Sequence, residues 1–216
     1  NQMLKDEIGF DNPLQEDVEE IEKAGNQAKA LLKQLLRFCQ NRPIEYKPLN
    51  LNDIIANFRK MLARIIGKNI SIETFLEPNL GPIKADEGQI EQIIMNLAIN
   101  ARDAMPHGGT FIIKTENINL DETFFMNFPG ALYGKYVCLS VTDTGIGIDK
   151  ESIKHIFKPF FTTKDAEKGT GLGLSVVHRI VKHYKGWFDV LSEPGKGTAF
   201  KIFLPVFEKP AGENPD

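Results

Sequence analysis

Cysteine is scarce in this chain: Cys39 and Cys138 are the only two. They can form no disulfide framework and no metal-ligand cluster, which points to a reducing compartment. Charge of one sign is also lacking. A net charge of −3 over 216 residues gives no electrostatic argument for nucleic acid or an anionic membrane. No apolar run approaches transmembrane length, and no signal-peptide pattern opens the chain. A Gly-x4-Gly-Lys-Ser/Thr loop is missing, so a Walker-type nucleotide site is excluded. What remains is ordinary for a globular protein, 42% apolar and 25% charged. That is enough for one good-sized domain with a small appendage. The chain opens at Asn1 without Met, inside what reads as the end of a helix closed by Gly9. This predicts a trimmed fragment, whose parent could carry sensor or membrane segments.

Asn12, Pro13 and Gln15 read as a capped helix start, and the helix runs to about Asn41. Leu14, Val18, Ile21, Gly25, Ala28, Leu32, Leu35 and Cys39 alternate in steps of four and three, a heptad seam. Ala24, Leu31 and Phe38 widen it, so a single seam partner does not cover it. The pattern fits one arm of an antiparallel bundle, or a helix packed on its own domain. Arg42-Pro43 marks a boundary. Beyond it the pattern predicts a strand at Ile44 to Lys47, a helix from the Asn50 cap to Gly67, and a strand at Ile70 to Leu76. A central helix is capped by Asp86 and stopped by His107-Gly108-Gly109. Strands follow at Thr110 to Leu120 and Lys135 to Thr142, a helix at Leu172 to Tyr184, and a hairpin at Trp187 to Leu191 and Thr198 to Val206. The Phe-rich insert from Asp121 to Gly134 has no period, and the tail from Glu208 reads as disordered. Intermixed strands and helices make an α/β two-layer sandwich.

The central helix carries two stripes. Ile90, Ile93, Ile94, Leu97, Ala101 and Ala104 form an apolar face. Gln89, Gln92, Asn96, Asn100 and Asp103 recur at the same spacing beside it, where a solvated face would carry Lys and Glu. Carboxamides offer ligand oxygens and hydrogen-bond donors without a fixed charge, which suits a site shared by a cation and phosphates. A polar, partly buried flank explains the helix alone equally well.

Three further segments carry candidate chemistry. Asp143-Thr144-Gly145-Ile146-Gly147-Ile148 follows directly on a buried strand; its glycines let backbone approach a planar ligand, and Asp143 can accept from an exocyclic amine. A plain turn would look the same. Gly169-Thr170-Gly171-Leu172-Gly173-Leu174-Ser175 runs into a helix, and free N–H groups there make an anion site. Leu174 stands where a Rossmann loop needs its third glycine. Between them, Phe157-Lys158-Pro159-Phe160-Phe161-Thr162-Thr163-Lys164 fits a hinged lid, from which Lys164 and Lys168 could reach phosphate oxygens. Exposed lysines on a loop are the plainer alternative.

Taken together and in this order, the four segments resemble the catalytic domain of sensor histidine kinases. That family has the Bergerat ATP-binding fold shared with type II topoisomerases, mismatch-repair clamps and heat-shock chaperones. The resemblance covers about Leu49 to Val206, with Leu14 to Gln40 similar to the second helix of the dimerisation hairpin. It implies three parts: a partial dimerisation segment over 1–42, the ATP-binding domain over 43–207, and a tail over 208–216. It implies ATP and Mg²⁺ as cofactors, with Asn96 the metal ligand and Asn100 on the phosphates. Asp143 would read adenine in a pocket shaped by Gly145, Gly147 and Ile148. Phe157, Phe160, Phe161, Thr162, Thr163, Lys164 and Lys168 would belong to the lid, Lys164 with a catalytic role. Gly169, Thr170, Gly171, Leu172, Gly173 and Leu174 would cradle phosphates.

Two departures stand out. Relatives often carry a basic residue where Asp103 stands, so Asp103 joins the candidate nucleotide contacts without a cationic role. The family's acceptor histidine, usually followed by an acidic residue, is not found: His107, His155, His178 and His183 all lie in the ATP domain with no acidic follower. The implied activity is transfer of the ATP γ-phosphoryl group to a histidine on a helix outside this chain, for relay to a response regulator receiver domain. A homodimer through the helical segment, a cytoplasmic location and membrane contact only through segments outside the chain complete the expectation. In the rival class, hydrolysing clamps, a glutamate one turn before the metal-ligand asparagine activates water; here that position is Gln92, with Glu91 about 100° around the helix. A nucleotide-sensing module without catalysis is the third reading.

Overall fold

The structure, a computed structural model, describes residues 17, 18, 21, 25, 45–120, 134–164 and 169–208. The chain divides into two units, Asn1–Ile44 with Lys164–Thr170, and Glu45–Thr163 with Gly171–Asp216. In the first, Asp17, Val18, Ile21 and Gly25 are helical, as the heptad pattern predicts; the rest of that helix, the 121–133 insert and the tail from 209 lie outside the described residues. No described helix is long and apolar enough to cross a membrane.

The second unit runs β1 (Lys47–Leu49), α1 (Leu51–Ile66), β2 (Ile70–Phe75), β3 (Ile83–Ala85), α2 (Glu87–Ala104), β4 (Gly109–Leu120), β5 (Gly134–Asp143), α3 (Lys150–Ile153), α4 (Gly173–His183), β6 (Trp187–Glu193) and β7 (Gly197–Pro205). A five-stranded sheet has the order β2-β4-β5-β7-β6, parallel only between β2 and β4, while β1 and β3 form a separate antiparallel pair. The α/β two-layer architecture expected from the sequence is therefore present. Its core joins α1, α2 and α4 to one sheet face: Ile90, Ile93, Ile94 and Leu97 of α2 meet Phe111, Ile113, Val137, Leu139, Val141, Phe200, Ile202 and Leu204. Each of these α2 side chains is at most 1% exposed, which contributes about 1.5–3 kcal/mol apiece before conformational entropy is charged. β5 is buried on both faces, because Tyr136 and Cys138 join Leu120, Trp187 and Phe203 in a second cluster.

Local chemistry sets the helix ends. Asp86 caps α2, its Oδ1 accepting from Gln89 N at 3.0 Å. The helix stops at Ala104, before the glycine pair named by the sequence, because Met105 precedes Pro106 and is pushed out of helical geometry. The entering chain docks on the same cap: Glu45 N donates to Asp86 Oδ2 at 3.2 Å, Tyr46 stacks on and hydrogen-bonds His183, and Lys47 pairs with Glu87. This entry differs from the expected strand at Ile44 to Lys47. The strand begins at Lys47 and pairs with Ile83–Ala85, an element too short to show alternation.

Candidate nucleotide site

α2 lines the candidate site along its length. Gln89 takes a structural part: its Oε1 accepts from the buried Tyr184 hydroxyl at 2.6 Å, and that hydroxyl accepts from Asp86 N at 3.0 Å. Gln92, Asn96, Asn100 and Asp103 remain partly exposed. Asp103 forms an ion pair with Arg102, 2.8 Å from Nη2, and Arg102 also reaches the Ile65 carbonyl. That guanidinium is thus held at the α1 side of the helix.

The Gly-rich helix start meets the middle of α2. A methyl built on Gly173 would lie 3.9 Å from the Asn96 side chain. α1, α2 and α3 are each capped by a side chain, from Asn50, Asp86 and Asp149. At α4 the cap is Leu172, which brings no side-chain hydrogen bond, and the first turn carries no acidic residue. First-turn N–H groups without such a partner attract an anion, and the helix dipole adds to the attraction. Leu174 turns the other way and packs on the main core.

The C-terminal end of α2 meets the Asp143 loop. Gly145 sits against the Ala104 carbonyl so closely that a Cβ would come within 2.6 Å of the oxygen, and Ile146 N donates to the same carbonyl at 3.0 Å. Gly147 has φ +71°, and a Cβ there would meet the Glu193 carbonyl at 2.1 Å. Only glycine satisfies both demands. Asp143 ends β5 buried at 6% exposure. Its Oδ1 accepts from Gly145 N at 2.9 Å, and Thr198 N–H also binds the carboxylate. Burial pushes its pKa up, and these two N–H groups only partly oppose the shift.

Asn96 and Ala104 are eight residues apart on one helix, hence about 12 Å along its axis. That matches the reach of a nucleotide from its base to its phosphates. A base beside Asp143 and phosphates beside Asn96 and Gly173 would both contact α2.

The segment expected to be a lid is flanked by two residues in contact, Phe160 and Gly171. Phe160 N donates to the Gly171 carbonyl at 3.0 Å, and a Cβ on Gly171, at φ +64°, would fall 2.3 Å from the Phe160 carbonyl carbon. Phe160 itself has φ +66° and is 76% exposed. Phe160 and Gly171 are therefore pinned to each other. Phe157 packs against His178 and Phe188, and Phe161 against His155, anchoring the segment to the core. Thr162 is partly buried and Thr163 exposed. Lys164, Gly169 and Thr170 group with the first unit, and Lys168 lies outside the described residues.

Sequence reasoning read the β6–β7 hairpin but missed its place beside the Asp143 loop. Gly195 N donates to the Ile146 carbonyl at 2.7 Å, Ile148 N donates to Ser192 Oγ at 2.8 Å, and Thr198 is buried next to Asp143. The run Glu193-Pro194-Gly195-Lys196-Gly197-Thr198 was the available signal, and it reads as an ordinary hairpin turn until it is seen closing over the Asp143 loop.

Residues 85–208 match the family described as histidine kinase-, DNA gyrase B-, and HSP90-like ATPase. The chain belongs to this family. The chain is 44% identical over 92% of its length to the sensor kinase CckA of Brucella abortus, covering 21% of that protein. It is 35% identical over 83% of the chain to the sensory histidine kinase/phosphatase NtrB of Rhodobacter capsulatus, covering 49% of it. The chain thus spans about a fifth to a half of these curated relatives. Among solved structures, the catalytic domain of histidine kinase ThkA matches at TM-score 0.56 and 28% identity, over 75% of this chain and 96% of that one. The segment is a nucleotide-binding domain of the histidine-kinase type, as the resemblance implied.

Proposed function

We propose that this chain is the ATP-binding catalytic portion of a sensor histidine kinase, and that it transfers the γ-phosphoryl group of ATP to a histidine on a helix outside the chain. The observation that carries the reading is that one helix meets both candidate ends of a nucleotide. Asn96 faces the open start of α4, and Ala104 holds the loop after Asp143.

In this reading the Asp143 carboxylate accepts from the adenine amine. The first-turn N–H groups of α4 take phosphate oxygens, and Lys164 and Lys168 are the cationic candidates for the same oxygens. The donor set fits Mg²⁺. Asn96 and Asn100 offer neutral carboxamide oxygens, and the described residues hold no cluster of three His, Cys, Asp or Glu. An ion that keeps most of its waters and binds substrate phosphates needs only one or two such protein oxygens. When bound, it would neutralise charge on the transferring phosphoryl group. The chain's own residues hold the triphosphate in line, exclude water and leave the γ-phosphate facing the acceptor.

Transfer is favoured over hydrolysis because no carboxylate lies one turn before either asparagine: those positions are Gln92 and Asn96. Glu91 is aimed elsewhere on the helix, and its pKa is raised by partial burial, then by Glu87 and Asp86. The partners that follow from this reading are a receiver domain of a response regulator and a second copy joined through the N-terminal helical segment. The domain would work in the cytoplasm, with any membrane contact through other parts of the parent.

The test supplies the parent's acceptor helix and ATP labelled at the γ-position. Acid-labile phosphate should appear on that helix and not on the fragment. Label on His107, His155, His178 or His183 would overturn the reading. Tight ATP binding with no transfer would favour a nucleotide-sensing module.

A further inference from the structure

Ser192 sits on β6, outside the loop that carries Asp143, yet its hydroxyl ties the end of that loop to the start of β7 through two backbone groups and one side chain. It accepts from Ile148 N at 2.8 Å, where the loop ends. It lies 3.0 Å from the Gly197 carbonyl and 2.9 Å from the Thr198 hydroxyl. A serine hydroxyl has one proton and two lone pairs. With its proton on the Gly197 carbonyl, it can accept from both Ile148 N–H and the Thr198 hydroxyl, so every valence of the group is used. Thr198 is 4% exposed, and its N–H binds the Asp143 carboxylate. The backbone on either side of that N–H is therefore fixed by the residue Ser192 holds and by the one it hydrogen-bonds.

We propose that Ser192 is a positioning residue for base selection: its hydroxyl fixes the Thr198 backbone and the Ile148 end of the loop, so that the Asp143 carboxylate keeps one orientation toward the bound base. The inference rests on Asp143 reading adenine, as proposed above. A carboxylate held in place accepts from adenine's amine and repels the carbonyl that guanine presents at the same position. A carboxylate free to turn loses part of that discrimination. Ser192 touches no substrate in this scheme and acts only through Thr198 and the loop.

The experiment measures ATP and GTP affinities by calorimetry for the wild type, Ser192→Ala and Ser192→Thr, together with amide exchange at Ile148. Ser192→Ala should weaken ATP roughly five- to tenfold and GTP much less, lowering the ATP-to-GTP ratio, and should speed exchange at Ile148. Ser192→Thr keeps the hydroxyl and should restore both the ratio and the slow exchange. Equal losses for the two nucleotides, an unchanged ratio in Ser192→Ala, or failure of threonine to restore it would overturn the proposal. A wild type that binds ATP no better than GTP would overturn the adenine reading along with it. The wild-type measurement therefore separates the two failures.

Discussion

Gly173 and Asn96 face each other across the candidate site without crowding: a methyl on Gly173 would rest at ordinary contact distance, 3.9 Å, from the Asn96 side chain. The position thus has room for alanine and carries no positive φ. Gly173→Ala should fold as well as the wild type, or gain about 0.5–1 kcal/mol from helix propensity. Its ATP affinity should nevertheless fall, because the methyl occupies space that phosphate oxygens would use. Thermal melting and calorimetry on one sample check both halves. Unchanged ATP affinity would place the phosphates elsewhere.

Asp143→Asn should separate binding from stability. If Asp143 reads adenine as proposed, one acceptor oxygen becomes a donor facing the adenine amine, costing about 1–3 kcal/mol of ATP affinity. The stability effect follows from the raised pKa of the wild-type carboxyl, caused first by burial. Folding holds this proton more tightly than the unfolded chain does, so ionising Asp143 destabilises the fold. The penalty is complete above the raised folded value and disappears below the ordinary value of 3.8. Melting of wild type and variant across the acidic range should show the wild type gaining relative stability as pH falls through that window. Parallel curves would contradict the assignment.

The Tyr184 hydroxyl stitches α4 to the α2 cap, and Tyr184→Phe would leave Asp86 N–H and the Gln89 side-chain oxygen without it. The expected loss is about 1–3 kcal/mol by chemical denaturation. Burial is the main cause pushing this phenol up to about 12, from 10.0. The unfolded chain gives up the proton first, so wild-type stability should decline as pH rises from 10 toward 12, and the phenylalanine variant should lack that component.

Gly171→Ala should part Phe160 from residue 171, at the base of the proposed lid. Its φ of +64° and the 2.3 Å approach to Phe160 leave no place for a Cβ, and the strain costs on the order of 1–3 kcal/mol. ATP affinity should drop, with the main core melting little changed if the strain is relieved by parting the two loop ends. Wild-type affinity in this variant would show that the pinned base is unnecessary for binding.

Much of this was legible because the responsible patterns are local and long. The alternating stripes of α2, the Asn50 and Asp86 caps, and the alternation in β4, β5 and β7 each repeat over enough residues to outvote exceptions. Asp143 gained weight only in company: its loop alone reads as a plain turn, and the order of the four segments singled it out. β3 and α3 were not read; three or four residues cannot display a period. Ser192 and Thr198 were passed over for a different reason. Their value depends on being folded back beside residues some fifty positions earlier, and small hydroxyl side chains in a hairpin carry no mark of that. Gln89 belonged to the polar stripe by spacing, yet its partner is the Tyr184 phenol, which no local pattern connects to it.

Trp187 is the single tryptophan of the chain, and its ring lies parallel to Phe203 with centroids 3.9 Å apart, on the sheet face away from the helices. The protein thereby carries a built-in optical reporter with one emitting site. Its emission should follow the breaking of the sheet's outer layer and stay nearly silent when nucleotide enters beside α2 on the other side. An emission change on adding ATP would register a signal passing through the thickness of the sheet, read out without attaching any label.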